Sequence, residues 1–296
     1  MSRQIIVQGG GGFLMEKSRT LDRHFVDATG KSSPRVCFVG TASGDAESAR
    51  YRFYDAMAQL GVRATHLSLV QPPTADLASF VLEQDALYVG GGNTRSLLAL
   101  WREWGLDAAL RTAYERGIVL GGISAGMICW FQYGITDSIP GSPTPLPCLG
   151  WLPGTACPHY DGEAERRPTL HRLLSGRQVP PGVAADDGAA LHFVDGDLRV
   201  VVLHHCAHVA PQCRILRARR MHERGELQGG ERGERPGSGQ LDLVAPLLRL
   251  LQGVARARAV ARAKPQPDTL RPRGVRAGAG AALPCRLASA SSTGFR

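Results

Sequence analysis

The stretch GGISAGMICWF, residues 121–131, sets Ser124 among small residues, with glycines two positions before and two after it. Gly122-x-Ser124-x-Gly126 is the spacing of a nucleophile elbow, a sharp strand-to-helix turn that holds a hydroxyl clear of its neighbours. A serine nucleophile needs a base to take its proton, a group that orients the base, and donors for the oxyanion. His159, in ACPHYDGE, follows an apolar strand-like segment and precedes a helical one, and is the candidate base. Two carboxylates stand at element ends from which either can orient that base: Asp137 in GITDS and Asp187 in AADDGAAL. The expected oxyanion donors are the backbone N–H groups of Ala125, directly after the serine, and of Gly92 in the GGGNT loop, residues 90–94. Glycines there let the backbone approach a substrate that a Cβ would obstruct.

Each of these features also has a plainer meaning. A five-residue pattern is weak by itself in a chain with 36 glycines. A glycine-rich strand end is more often a tight turn or a phosphate cradle. Here GGGNT lacks the Gly-Lys-Ser/Thr of a P-loop, and GGGGF, residues 9–13, opens no dinucleotide fingerprint. His171 and His192 read as structural. The seven cysteines form no CxxC pair and suit a reducing compartment better than a disulfide framework. His204, His205, Cys206, His208 and Cys213 crowd together, but their spacing fits no standard zinc pattern. No metal is expected.

The elements that must position these residues alternate between short apolar runs and helical periodicity, the mark of a parallel sheet covered by helices. Strands are predicted at 3–8, 35–40, 64–70, 86–91 and 117–122. Ala49, Phe53, Met57 and Leu60 fall at helical spacing, and a longer helical stretch runs from Thr94 to about Arg116 with a break at Gly105. Several strands end in glycine, which locates the working edge at their carboxyl ends. Beyond the elbow, 138–154 reads as a proline-rich loop, 163–176 as a helix, and 189–203 as a hairpin turning at Asp195-Gly196.

Charge divides the chain. Residues 1–203 carry 18 basic and 20 acidic side chains, net −2, whereas residues 204–296 carry 17 and 6, net +11. The first part therefore reads as an ordinary near-neutral soluble domain. The second has one aromatic residue, Phe295, and little periodicity beyond a helix-like run at 241–263. It reads as a basic, low-complexity, disordered tail, either a native extension or text translated out of frame. Without interleaved aromatics the tail does not imply nucleic acid as a partner. No apolar run approaches 18 residues and the N-terminus enters a strand directly, so neither a membrane nor a leader is implied and a cytoplasmic location is expected.

YVGGGNTRSLLALW, GGISAGMICWF, PHYDGEAERRPTLHRLL and ADDGAALHF, in that order, resemble the peptidase E family of α-aspartyl dipeptidases, whose relatives include cyanophycinases. The resemblance covers about residues 1–203. It implies a fold like the class I glutamine amidotransferases, with serine in place of cysteine at the elbow. It carries the nucleophile to Ser124, the histidine to His159 and an oxyanion glycine to Gly92, and it places Asn93 beside the substrate. For the third catalytic group it puts Asp137 first, with Asp187 as the alternative that the cyanophycinase branch favours. Arg166 matches the family's arginine, and a guanidinium can grip a substrate's side-chain carboxylate through two parallel hydrogen bonds. The implied substrate is a small peptide with an N-terminal aspartate, cleaved without metal or organic cofactor. A different hydrolase on the same scaffold, or a non-catalytic binding protein, is the rival.

Overall fold

The computed structural model describes residues 2–15, 19–204 and 213–216. The chain divides into two units, Met1–Ser238 and Gly239–Arg296, and all the described residues belong to the first. The helix-like run at 241–263, and His205, Cys206 and His208 of the histidine–cysteine cluster, lie outside the described residues.

In chain order the elements are β1 (Gln4–Gln8), α1 (Thr20–Asp27), β2 (Arg35–Val39), α2 (Glu47–Ala58), β3 (Arg63–Leu67), α3 (Leu77–Leu82), β4 (Ala86–Val89), α4 (Thr94–Glu103), α5 (Leu106–Glu115) and β5 (Val119–Ile123). After the short helix α6 (Ala125–Ile128) come β6 (Phe131–Thr136), β7 (Thr144–Pro147), β8 (Leu152–Cys157), α7 (Arg166–Ser175), β9 (Gly182–Ala185), β10 (Ala189–Val194), β11 (Asp197–Leu203) and β12 (Cys213–Leu216). The break expected at Gly105 is there, with the glycine at φ 65° between α4 and α5.

Seven strands form the main sheet in the order β11-β10-β1-β5-β4-β2-β3. The five from β1 to β3 are parallel, and the hairpin of β10 and β11 adds to the β1 edge in antiparallel register. Alternate strand residues feed two apolar layers. Val7, Val39, Leu87, Val89 and Leu120 pack with Leu97, Trp101 and Leu110 of α4 and α5. On the opposite face Ile6, Val36, Phe38, Tyr88 and Val119 pack with Leu21 and Phe25 of α1 and Phe53 and Met57 of α2. Burial on both faces explains why these strands read as continuous apolar runs rather than alternating ones.

A second sheet, order β12-β9-β8-β6-β7, corrects the expectation for the region after the elbow. β6, β8 and β9 are parallel, and β7 and β12 close the two edges in antiparallel register. The proline-rich 138–154 loop thus contains a strand. Its two prolines are tolerated because β7 is an edge, where a missing N–H costs no ladder bond. β12 also carries the sheet beyond residue 203, where the sequence suggested that folded chain ends.

Candidate active site

Ser124 follows β5 and opens α6 at φ 56° and ψ −108°. This backbone region is costly for a residue with a Cβ, by roughly 1–3 kcal/mol, and persists only where surroundings over-determine it. They do so here: the Ser124 N–H donates to Gln8 O at 3.1 Å, and Ser124 O accepts from the N–H groups of Met127 and Ile128 at 2.9 and 3.1 Å. The two elbow glycines have a steric reason. A Cβ on Gly122 or Gly126 would run into the backbone of Val89 on β4, with its carbonyl carbon 2.8 and 2.7 Å away respectively. The turn can therefore lie against the neighbouring strand only if both positions are glycine.

His159 leaves β8 through Pro158 and also sits at positive φ, 48°. Its carbonyl accepts from the N–H groups of Gly162 and Glu163, which folds the loop into α7. Its Nδ1 lies 2.6 Å from Asp187 Oδ1. An ionised carboxylate only accepts, so Nδ1 carries the proton and donates. Nε2 is then the nitrogen left to act as a base.

Asp187 is placed by β1. Gly10 and Asp187 form an isolated bridge, and the Gly188 N–H donates to Gly10 O at 3.0 Å. A Cβ on Gly10 would collide with Asp187 Oδ1 and come within 2.8 Å of His159 Nδ1. The three residues from Gln8 to Gly10 thus touch the serine's backbone at one end and the imidazole–carboxylate pair at the other. Reasoning from the sequence did not single out Gly10; its only signal was membership of the glycine run that ends β1.

The structure brings Asp187, not Asp137, to the imidazole. Asp137 instead lies 3.2 Å from Arg166 Nη2, with its side chain 58% exposed. Arg166 is buried, and the rest of its guanidinium is also engaged. Nε donates to Glu163 Oε2 at 2.6 Å and Nη1 to Ile135 O at 2.7 Å. The position of Asp137 in the sequence, thirteen residues past the serine, is compatible with either destination; only the tertiary path of β6 decides it.

Gly92 lies at φ 133°, and a Cβ there would clash with the backbone of Ala42 and Ser43. Within the described residues neither the Gly92 nor the Ala125 N–H has a protein acceptor. A Cβ on Gly91 would stand 3.2 Å from Ser124 Cβ, so this loop borders the serine directly. Asn93 caps α4 through Oδ1, which accepts from the Ser96 N–H at 2.9 Å, while its Nδ2 donates to Ser138 O at 2.9 Å. Asn93 thereby ties the glycine loop to the segment that carries Asp137.

Burial pushes Cys37 and Cys157 up to about 12, too high for either to act as a thiolate near neutrality. His171 and His192, read as structural, hydrogen-bond to Tyr160 and to His24 and Gln4. Among the described residues no three His, Cys, Asp or Glu side chains gather as a metal site, and no helix is long and apolar enough to cross a membrane.

Known proteins resemble this chain in sequence and in fold. Over 197 residues, 66% of this chain and 85% of the relative, the sequence is 54% identical to the uncharacterized peptidase YgaJ of Bacillus subtilis (strain 168). It is 32% identical over 178 residues, 56% of this chain and 70% of the other, to Peptidase E of Streptomyces coelicolor (strain ATCC BAA-471 / A3(2) / M145). Two solved structures share the fold at 16% identity. A putative peptidase E protein from Listeria monocytogenes EGD-e gives a TM-score of 0.53, covering 69% of this chain and all of its own. A peptidase from an acI-B1 actinobacterium gives 0.56, with 74% and 93% covered. The model of peptidase family S51 matches residues 5–201, a span that holds the serine elbow, the His159–Asp187 pair and the glycine loop, and the chain belongs to that family.

Proposed function

We propose that this chain is a serine-type dipeptidase that hydrolyses the bond after an N-terminal aspartate through an acyl-enzyme. The observation that carries the serine chemistry is the 2.6 Å contact between His159 Nδ1 and Asp187 Oδ1, at the same end of β1 that holds Ser124. His159 Nε2 takes the Ser124 proton as Oγ attacks the peptide carbonyl. Asp187 keeps the imidazole in the required tautomer and offsets the charge that the proton brings. The N–H groups of Gly92 and Ala125 receive the oxyanion, and each such donor is worth about 3 kcal/mol of barrier. The leaving amine departs with the proton from His159, and water then cleaves the ester by the same route.

For the substrate side chain the reading rests on Arg166 as the cation, in keeping with the 32% identical relative named Peptidase E. A second reading, hydrolysis of a substrate without a side-chain carboxylate, has one observation in its favour: Asp137 and Glu163 already outweigh the Arg166 charge. Incubation with Asp-Leu, Ala-Leu and Leu-Leu, comparing the parent with Ser124→Ala, separates the two. Release of leucine from Asp-Leu by the parent alone is expected. Cleavage only of the neutral dipeptides would favour the second reading, and equal cleavage by Ser124→Ala would remove the serine from the mechanism.

A further inference from the structure

We infer that Asp137 is a specificity-determining residue: in the resting site it occupies the guanidinium edge of Arg166 that a substrate carboxylate must take, and so acts as an internal competitor. This rests on Arg166 being the cation for the substrate side chain, as proposed above.

The argument begins with the donors. A guanidinium has five N–H groups in a planar fork. In this protein Glu163 takes Nε at 2.6 Å and the carbonyl of Ile135 takes one N–H of Nη1 at 2.7 Å. Those two contacts fix the plane and leave Nη2 for another acceptor. Nη2 meets Asp137 Oδ1 at 3.2 Å, the longest of the three contacts.

The three partners differ in how readily they can leave. Ile135 O belongs to β6 and cannot move without the strand. Glu163 lies on the turn closed on His159 O, and its contact is short. Asp137 lies just beyond the end of β6, with a side chain 58% exposed that water can solvate as it swings away. Only the Asp137 half of the pair is open to water, so a carboxylate presenting two oxygens to the guanidinium can replace it while Arg166 stays paired.

Position ties the exchange to the reaction. Ser138, the next residue, accepts from the Asn93 side chain through its carbonyl and from the Arg95 N–H through Oγ. Asp137 therefore stands beside the loop that carries Gly92. Glu163, the partner of Arg166 Nε, is four residues from His159. The partners of the guanidinium thus connect it to the glycine loop through Asp137 and to the loop of His159 through Glu163, and the proposal places the side chain of the N-terminal residue there. With two carboxylates on one guanidinium, the local charge also opposes an anionic side chain until one of them withdraws.

The test uses Asp137→Asn and, to remove reach as well as charge, Asp137→Ser in the full chain. Steady-state kcat/KM is measured on Asp-Leu and Ala-Leu, and binding of Asp-Leu is measured by calorimetry to Ser124→Ala with and without each substitution. The Asp-Leu to Ala-Leu ratio is expected to rise about threefold to tenfold, and the dipeptide to bind tighter by a similar factor. A ratio and an affinity that stay level or fall would overturn the proposal. So would equal loss of kcat on both dipeptides, the signature of a catalytic acid. If the parent cleaves no aspartyl dipeptide, the functional reading fails, and the binding comparison still decides on Asp137: tighter binding supports the competition and equal binding overturns it.

Discussion

Asp187 Oδ1 and His159 Nδ1 lie 2.6 Å apart although the two residues come from different strand ends of the second sheet. The contact exists because β9 runs parallel to β8, which brings the segments that follow both strands to one edge. Gly10, at the end of β1, then pins Asp187 from the main sheet. An imidazole fixed in this way has one tautomer and one free nitrogen, the state a serine nucleophile requires.

Asp187→Asn should therefore lower kcat on the best substrate by about 10²–10⁴-fold, because an amide can donate to Nδ1 and so stabilise the wrong tautomer. Steady-state kinetics with a check of folding by circular dichroism decides it. A loss below tenfold would show that the carboxylate is not the orienting group.

Gly10→Ala should damage catalysis out of proportion to stability. The added methyl displaces Asp187 and crowds His159 Nδ1, and a misplacement of about 1 Å in such a group can cost about 10²-fold in rate. Gly61→Ala is the control. It has open space around its Cβ position and φ 70°, so it should lower the unfolding midpoint and leave kcat alone. The downfield resonance of the His159 Nδ1 proton should persist in Gly61→Ala and weaken in Gly10→Ala.

Acid should destabilise the protein through the contact between His24 and His192, whose ring nitrogens are 3.1 Å apart. Burial first, and then His24, lowers the His192 pKa from 6.5 to about 4. The unfolded chain binds the proton near 6.5 while the folded protein refuses it until about 4. Stability is therefore full above the unfolded value, falls as pH drops through that window, and levels off below it. The loss amounts to at most about 3 kcal/mol. Urea titrations at pH values above and inside the window should show it, and His192→Gln should flatten the dependence.

The first half of the fold was legible because buried parallel strands are continuous apolar runs and their helices keep a regular stripe, as with Phe53 and Met57. The break between α4 and α5 was legible because Gly105 interrupts that stripe. The second sheet was not, since β7 is a proline-containing edge strand of four residues and β9 another four, too short for a period to register. At the site, Ser124 and His159 announced themselves by the glycines and the turn around them. The choice between Asp137 and Asp187 depended on which strand end passes the imidazole, a long-range pairing that local spacing does not encode. Gly10 escaped notice for the same reason: its purpose is to make room for residues about 150 and 180 positions away in the chain.

The most direct test of the central claim is covalent. A serine-directed diphenyl phosphonate analogue of aspartate, followed by peptide mass spectrometry, should leave a single adduct on Ser124. The rate of labelling should fall by about 10²-fold or more in His159→Gln, since the base no longer takes the hydroxyl proton. An adduct on another residue, or undiminished labelling of Ser124 without the imidazole, would contradict the account.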